Sequence, residues 1–570
     1  MNTTLSELAS SLPDDEIPSG ERPLVVQSDS TLLLDVQGEW AAAARNALCS
    51  FAQLERSPEY VHTYRITPLS LWNAAAAGVT ADWIDRALRL FSRYPVPDLV
   101  RHELREQMNR FGRATLLPWS GEALLLRVDD PLLRLEIAHS EEVAPLLASA
   151  RAEGFLVPTR HRGALKQALV RIGYPAEDLC GYSEGVALPL GLAPKARDSR
   201  PFALRPYQQE AADAFHQGGG PRGGAGVIVL PCGAGKTIIG IGVMARLQTS
   251  TLILATNTVA VHQWRDEILD KTDLAAEMIG EYTGDRKQIR PVTIGTYQIL
   301  THRASRAGEF EHLDLLRQQQ WGLIVYDEVH MLPAPVFRAT ADIQVRRRLG
   351  LTATLVREDG REGDVFALIG PKRFDLPWKV LEKTGYIAEA ECFEIRLELP
   401  AEQRIRYALA DRRERHRIAA ENPRKIQIVE ELIQNSPEDA ILVIGQYLDQ
   451  LQRVSSDLSL PLITGKTPVA ERERLYGEFR QGKIRVLAVS KVANFAIDLP
   501  DASMAIEISG AFGSRQEEAQ RLGRILRPKN RSARFYALVS RDTSEQLFAA
   551  RRQLFLVEQG YRYRIVNWDS

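Results

Sequence analysis

Cysteine is scarce in these 570 residues: there are four, at 49, 180, 232 and 392, and no two form a CxxC pair. Such spacing excludes a zinc ribbon, an iron–sulfur cluster and a disulfide framework, and it fits a reducing compartment. Net charge is also nearly absent. Lys plus Arg number 72 against 73 for Asp plus Glu, so no overall basicity advertises a nucleic acid or membrane surface. Any such binding has to come from local patches. Long apolar runs are missing too. The nearest, Val227 to Met244, is broken by Pro231, several glycines and Lys236, which leaves no stretch of the roughly 18 residues that a membrane helix needs. Met1 to Gly20 is polar and acidic and lacks the basic head and apolar stretch of a signal peptide. His62, His102, His139, His161 and His416 are scattered without metal-ligand spacing and read as surface or capping residues. What is present is ordinary globular material: 45% hydrophobic and 25% charged, which excludes disorder and fibrous architecture. At roughly 150 residues per domain the length suggests about four domains.

The first third carries helices and a hairpin but no catalytic motif. Thr80 reads as an N-cap, followed by Trp83, Ile84, Ala87, Leu88 and Phe91 at helical spacing. A second helix reads Leu99, Val100, Leu104, Met108 and Phe111, with Gly112 as its stop. Two apolar runs, 114–118 and 123–128, follow, and helices before a hairpin suit a winged helix, so residues 1–130 are expected to form an N-terminal accessory domain. Trp72, Trp83 and Trp119 read as its core. A small unit with its linker is expected at 131–196, with a strand at Phe155 to Val157 and a helix through Leu165, Ala168, Leu169 and Ile172. Residues 183–201, rich in Pro, Gly and charge, read as linker. From Phe202 onward short apolar runs alternate with helical stretches. The runs are 227–230, 251–255, 292–294, 323–326 and 348–351, and later 441–444, 462–464, 486–489, 505–508 and 535–539. That rhythm predicts an α/β protein with two tandem parallel-sheet domains, at 197–383 and 384–570, joined near 371–385.

Three motifs carry chemistry. The apolar run 227–230 leads into Pro231-Cys-Gly-Ala-Gly-Lys-Thr237 and then a helix, which is the strand–loop–helix context of a P-loop. Gly233, Ala234 and Gly235 turn backbone N–H groups towards phosphate oxygens, Lys236 supplies positive charge to the β and γ phosphates, and the Thr237 hydroxyl is a Mg²⁺ ligand. Leu230 stands where the general pattern asks for glycine, so the loop is a variant. The run from Trp321 to Tyr326 ends at Asp327-Glu-Val-His330. Asp327 at a buried strand tip can hold the magnesium and its hydration shell, Glu328 can orient or deprotonate the attacking water, and His330 sits where it senses the nucleotide. In the second domain, Gln520, Arg524 and Arg527 share one helical face within a run that also holds Arg521, Lys529, Arg531 and Arg534. An arginine from a neighbouring domain is the usual source of mobile charge for the phosphoryl transition state.

Taken together, Leu230–Thr237, Tyr326–His330, Leu351–Asp359, Ser490–Asp498, Phe512–Gln516, Tyr447–Leu451 and Gln516–Pro528 closely resemble the XPB family of superfamily-two DNA-repair helicases, in its bacterial form. The resemblance runs strongly over 204–561 and more weakly from 24. It implies two RecA-like domains, smaller α+β N-terminal domains and an ATP-dependent 3′→5′ helicase or translocase on DNA, with ATP at the domain interface. Within it, Arg205 and Gln208 of Leu204-Arg-Pro-Tyr-Gln208 would read adenine, and Thr352 and Thr354 would couple hydrolysis to domain movement. Arg357-Glu358-Asp359 matches a motif linked to strand separation. Lys491 and Asn494 would face DNA or the ATP cleft, and Asp498 the nucleotide ribose. The resemblance also implies a damage-recognition domain, mapped to 132–182, a partner nuclease known from archaeal members, and a cytoplasmic, nucleoid-associated location.

It implies a thumb as well, here a short helical one at 401–422. Read on its own residues, the thumb carries Arg404, Arg406, Arg412, Arg413, Arg415 and Arg417 with Ile405, Tyr407 and Leu409 interleaved. Such a helix can ride on phosphates or be a solvated surface, and Arg346-Arg-Arg348 can equally flank a buried strand. Three rivals stand beside the helicase: a duplex translocase that does not unwind, a nucleotide-switched scaffold without productive hydrolysis, and an RNA helicase.

Overall fold

The computed structural model describes residues 17–56, 60–120, 123–180, 184–216, 224–231, 233–300, 302, 312, 316, 319–329, 345, 347–353, 362–376, 378–387, 389–490, 502–509, 533–558 and 561–568. The chain forms two compact units: the first is 1–375 without 57–59 and Pro231–Ala234, and the second is Leu376–Ser570 together with those two short pieces. The division expected at 383/384 therefore falls earlier. The helix Trp378–Lys383 goes with the second unit, whereas the strand Lys372–Asp375 pairs into the first sheet.

The first unit opens with a module of its own. Strands β1 (Leu24–Val26), β2 (Thr31–Asp35), β3 (Gln53–Arg56) and β4 (Val61–Arg65) make an antiparallel sheet in the order β1-β2-β4-β3. Helices Ala41–Cys49, Pro68–Ala76, Ala81–Phe91 and Asp98–Arg110 join it. The Thr80 hydroxyl accepts from Trp83 N–H, the expected N-cap, and Ile84, Leu88 and Phe91 enter a core shared with Leu32, Leu34 and Tyr64. Asp85, buried on that helix, is held below the usual carboxylate range: burial works to raise it, and Arg101, Arg89 and Arg105 outweigh this.

The expected hairpin exists, β5 (Ala114–Ser120) against β6 (Ala123–Val128), but it does not complete a winged helix with the preceding helices. It pairs on into β7 (Ser149–Arg151), β8 (Gly154–Pro158) and β9 (Glu177–Asp178), in the order β7-β8-β6-β5-β9. Leu116 and Leu126 are buried with Leu133, Ile137, Leu165 and Leu169. A boundary at 130/131 would cut this core in two. The hairpin's apolar face finds its partner downstream, which spacing within 1–130 cannot reveal. Trp72 is buried and Trp83 half-buried, whereas Trp119, expected in the core, is 52% exposed near the hairpin tip. His62 and His416, expected as surface or capping residues, are buried. Burial, the largest cause, pushes the thiols of Cys49 and Cys180 up to about 11 and about 12, so both stay protonated and act as small core groups.

The first motor sheet is all parallel: β10 (Ala225–Val229), β11 (Thr251–Ala255), β12 (Ile279–Tyr282), β13 (Val292–Thr296), β14 (Leu323–Asp327), β15 (Arg347–Thr352) and β16 (Lys372–Asp375), in the order β12-β13-β11-β14-β15-β10-β16. Every residue of β11 and β13 is buried, as continuous apolar runs covered on both faces require. The stretch read as linker lies along this sheet's end. Val186 N–H donates to Ser250 Oγ (3.1 Å), and Leu188 and Leu190 are buried. Arg347 pairs with Glu184 at 3.0 Å, and the buried Arg348 donates to Tyr326 Oη at 3.2 Å. Both arginines lie at the start of the buried strand β15, while Arg346 lies outside the described residues.

The second unit repeats the plan with β17 (Ala390–Leu397), β18 (Ile441–Gly445), β19 (Leu462–Ile463), β20 (Val486–Ser490), β21 (Met504–Glu507), β22 (Ala533–Ser540) and β23 (Arg562–Asn567), in the order β19-β20-β18-β21-β22-β17-β23. The thumb expected at 401–422 is two helices, Ala401–Leu409 and Arg412–Ala420. Ile405 and Leu409 are 64% and 84% exposed, and the first helix buries no residue. Behind the thumb, Lys425 Nζ lies 2.9 Å from both carboxylate oxygens of Glu545 and 2.8 Å from the Ile508 carbonyl, all buried. Replacing Lys425 by alanine strands a buried carboxylate, so the second unit is expected to lose about 3–5 kcal/mol of stability. Hydrogen exchange should then quicken in 504–508 and 533–540, and unchanged protection there would refute the expectation.

Candidate nucleotide site

The strand ends of the first sheet bring the candidate residues together. β10 and β14 both flank β15, with Val229 opposite Thr352 and Asp327 opposite Leu351. The end of β10, the acidic pair and Thr352 thus converge at the carboxyl edge, where parallel sheets hold ligands. Leu230, standing where glycine was expected, is buried, and its N–H donates to the Thr352 carbonyl at 2.9 Å. That bond ties the mouth of the loop to the end of β15.

Gly233 and Gly235 have φ of 82° and 77°, in the left-handed region that side chains avoid. A Cβ on Gly235 would also stand 2.7 Å from Gln208 Nε2. Helix Lys236–Leu247 starts directly after this turn, so its unsatisfied N–H groups and positive dipole end face the loop. Gln208 is buried; its Oε1 accepts from Arg205 N–H at 3.0 Å, and Arg205 Nη1 donates to Tyr207 Oη at 3.3 Å.

Lys236 Nζ lies 3.2 Å from Glu328 Oε1. Glu328 has φ of 51°, a left-handed backbone in a non-glycine residue, and strain of this kind clusters where a side chain's direction matters. Asp327 sits beside it. Burial, first, and the Glu328 charge, second, raise its carboxyl to about 6, against the lowering effects of the Trp264 hydrogen bond and Lys236. A hard cation would offset the cost of that buried charge. With the Thr237 hydroxyl at the helix start, the donor set is all oxygen and fits Mg²⁺. Among the described residues no cluster of three His, Cys, Asp or Glu could hold a metal.

Three contacts at this edge escaped the sequence. Trp264 Nε1 donates to Asp327 Oδ2 at 3.0 Å, Tyr297 Oη donates to the Asp327 carbonyl at 2.7 Å, and Gly240 leaves room for the indole. Burial, and then the nearby Asp327 charge, push the Tyr297 hydroxyl well above its ordinary value, so it remains a donor. His330, Thr354, Arg357, Glu358, Asp359, Lys491, Asn494, Asp498, Gln520, Arg524 and Arg527 lie outside the described residues.

Two tandem parallel sheets, the first with a lysine-bearing helix start beside an acidic strand tip, define a nucleotide-driven motor built from RecA-like domains. Residues 381–569 match the family profile described as ERCC3/RAD25/XPB C-terminal helicase, 24–152 that of a helicase conserved C-terminal domain, and 201–357 that of the type III restriction enzyme res subunit. The chain is 55% identical to a DNA 3′-5′ helicase XPB of Kineococcus radiotolerans, over 96% of its own length and 97% of the relative's. It is 51% identical to the protein of that name in Mycobacterium tuberculosis, over 96% and 98%. A general transcription and DNA repair factor IIH helicase/translocase subunit XPB from Antonospora locustae is 35% identical over 96% and 82%. The chain belongs to the XPB family of helicases.

Proposed function

We infer that this protein is an ATP-dependent DNA 3′→5′ helicase that works in DNA repair. The observation that carries the reading is the pairing of Lys236 with Glu328, next to Asp327, at the mouth of the glycine turn. An ammonium and two carboxylates at one strand edge are what a triphosphate with its cation requires.

In this reading the N–H groups around Gly233, Ala234 and Gly235 cradle phosphate oxygens, and Lys236 leaves Glu328 to take up their charge. Thr237 and Asp327 would hold Mg²⁺, which would supply positive charge to the phosphates. Glu328, once released, orients the attacking water and draws its proton, and His330 senses the nucleotide state. Arg205 and Gln208 present polar groups to the adenine edge. Gln520, Arg524 and Arg527 of the second domain address the transferring phosphoryl group, and Asp498 the ribose. Thr352, whose carbonyl is tied to Leu230 N–H, and Thr354 pass the change to Arg357, Glu358, Asp359, Lys491 and Asn494 on the DNA path. The 131–196 unit, whose docked neighbour in the fold is 114–128, and the thumb at 401–422 contribute further DNA contacts. A nuclease partner suits a motor that exposes a single-strand junction. A cytoplasmic site on the nucleoid follows from the substrate, and among the described residues no helix is long and apolar enough to cross a membrane.

The test is ATP hydrolysis with and without DNA, for the wild type and Lys236→Ala. DNA should stimulate the wild type, and Lys236→Ala should lose hydrolysis. Equal, slow phosphate release from both proteins would leave a nucleotide-switched scaffold. Displacement of a strand from a 3′-overhang duplex, set against displacement of a triplex strand, separates unwinding from duplex translocation, and an RNA duplex run in parallel addresses the third rival.

A further inference from the structure

We propose that Trp264 is a positioning residue for Asp327: its indole N–H fixes one carboxylate oxygen and so helps set the direction in which the carboxylate faces the magnesium site. This rests on Asp327 being the magnesium carboxylate, as inferred above, and deepens that reading.

Trp264 lies on helix Thr258–Lys271, whose start is capped by Asn257 Oδ1 accepting from Ala260 N–H at 3.0 Å. The side chain is 1% exposed. Its six-membered ring lies over Gly240, in the helix that begins with Lys236: a Cβ there would stand 2.5 Å from Cη2 and 3.2 Å from Cζ3. The glycine therefore makes a slot on the P-loop helix, and the indole filling it reaches across to β14. Packing alone does not account for where the nitrogen points. A buried indole needs an acceptor. Among the other described tryptophans two find a backbone carbonyl, Trp568 reaches the Glu431 carboxylate at 3.3 Å at the surface, and the buried Trp83 nitrogen has no partner. Trp72 donates to the Gln107 carbonyl at 3.1 Å, and Trp321 to the Leu316 carbonyl at 2.8 Å. Trp264 instead donates to a motif carboxylate, Asp327 Oδ2, at 3.0 Å.

The rest of the edge supports the same assignment. Tyr297 Oη holds the Asp327 carbonyl at 2.7 Å, so one donor fixes the main chain and another the side chain. The ammonium of Lys236 is 3.2 Å from Glu328 and its charge also acts on Asp327. The Trp264 bond on Oδ2 and the Glu328 backbone N–H together fix the direction of the Asp327 carboxylate that would face a cation or its water. Outer partners that orient a metal's ligand in this way are typically worth about 10- to 100-fold in metal affinity.

The experiment is a Mg²⁺ titration of mant-ADP binding to the full chain, with the mant group excited directly, and a parallel measurement in EDTA. Trp264→Phe keeps a ring in the slot and removes the donor. The midpoint for Mg²⁺ should rise about 10-fold or more, while affinity in EDTA stays at the wild-type value. In an Asp327→Asn background the same substitution should add nothing. A merely structural tryptophan would weaken both affinities together and leave the midpoint in place, and that result overturns the proposal. Should Trp264→Phe fold poorly, 3-benzothienylalanine at position 264 removes the N–H at nearly unchanged volume and is read the same way. If wild-type mant-ADP binding ignores Mg²⁺, the assignment of Asp327 fails and this inference with it. A magnesium-dependent wild type with an unmoved variant sinks the inference alone.

Discussion

Alanine at Arg524 or Arg527 is expected to lower kcat for DNA-stimulated ATP hydrolysis by roughly 10³-fold or more. Binding of a non-hydrolysable ATP analogue should change far less. In the transferring phosphoryl group charge spreads over the equatorial oxygens, which more than one cation is needed to meet. Lys236 is an ammonium at this edge, and it faces Glu328 at 3.2 Å. Cationic help delivered by the second domain acts on the transition state more than on the bound ground state, so its loss appears in kcat. Lysine at the same positions should recover only part of the rate, because a point charge lacks the planar fork of a guanidinium. A wild-type kcat in both alanine variants would remove these arginines from the mechanism.

Glu328→Gln is expected to reduce hydrolysis by about 10²- to 10⁴-fold, the usual worth of a general base. The same change should tighten nucleotide binding. Without nucleotide, the Glu328 carboxylate holds Lys236, and a triphosphate has to displace it. The neutral amide competes less well, so Kd for mant-ATP should fall even as turnover fails. Single-turnover hydrolysis and an equilibrium titration on one preparation read both effects. A weaker Kd would mean that Glu328 helps bind the nucleotide and does not compete with it for the lysine.

Much of the motor was legible because its strands are covered on both faces. Thr251–Ala255, Ile441–Gly445 and Val486–Ser490 are buried throughout and read as unbroken apolar runs. β17 was missed although it lies inside the second sheet, because Ala390-Glu-Cys-Phe-Glu-Ile-Arg-Leu397 alternates polar and apolar groups. Its Glu394 is buried, since Arg396 Nε donates to it at 2.6 Å and Tyr563 Oη, 169 residues away, at 2.7 Å. No local pattern announces a partner at that distance. β12 and β16 are four residues each, and β16, Lys-Arg-Phe-Asp, reads as a polar loop. The P-loop and the acidic pair were visible because each is a contiguous string. Trp264 was not, because its acceptor lies 63 residues further on and only the fold joins them.

β16 has a practical bearing. It flanks β10, the strand that feeds the glycine turn, and its Lys372 N–H donates to Asn73 Oδ1 at 3.0 Å, while Lys372 Nζ reaches the Ala52 carbonyl at 3.4 Å and Asp375 at 2.9 Å. The opening module is thus a guard on the motor's open flank. A truncation that begins at the motif-bearing region takes the Asn73 acceptor from that amide and the Ala52 carbonyl from that ammonium, which keeps Asp375, and a bared strand edge invites strand-to-strand association. Rates measured on such a fragment would report on sticking and fraying beside the phosphate loop, and should not be read as release from regulation by the missing residues.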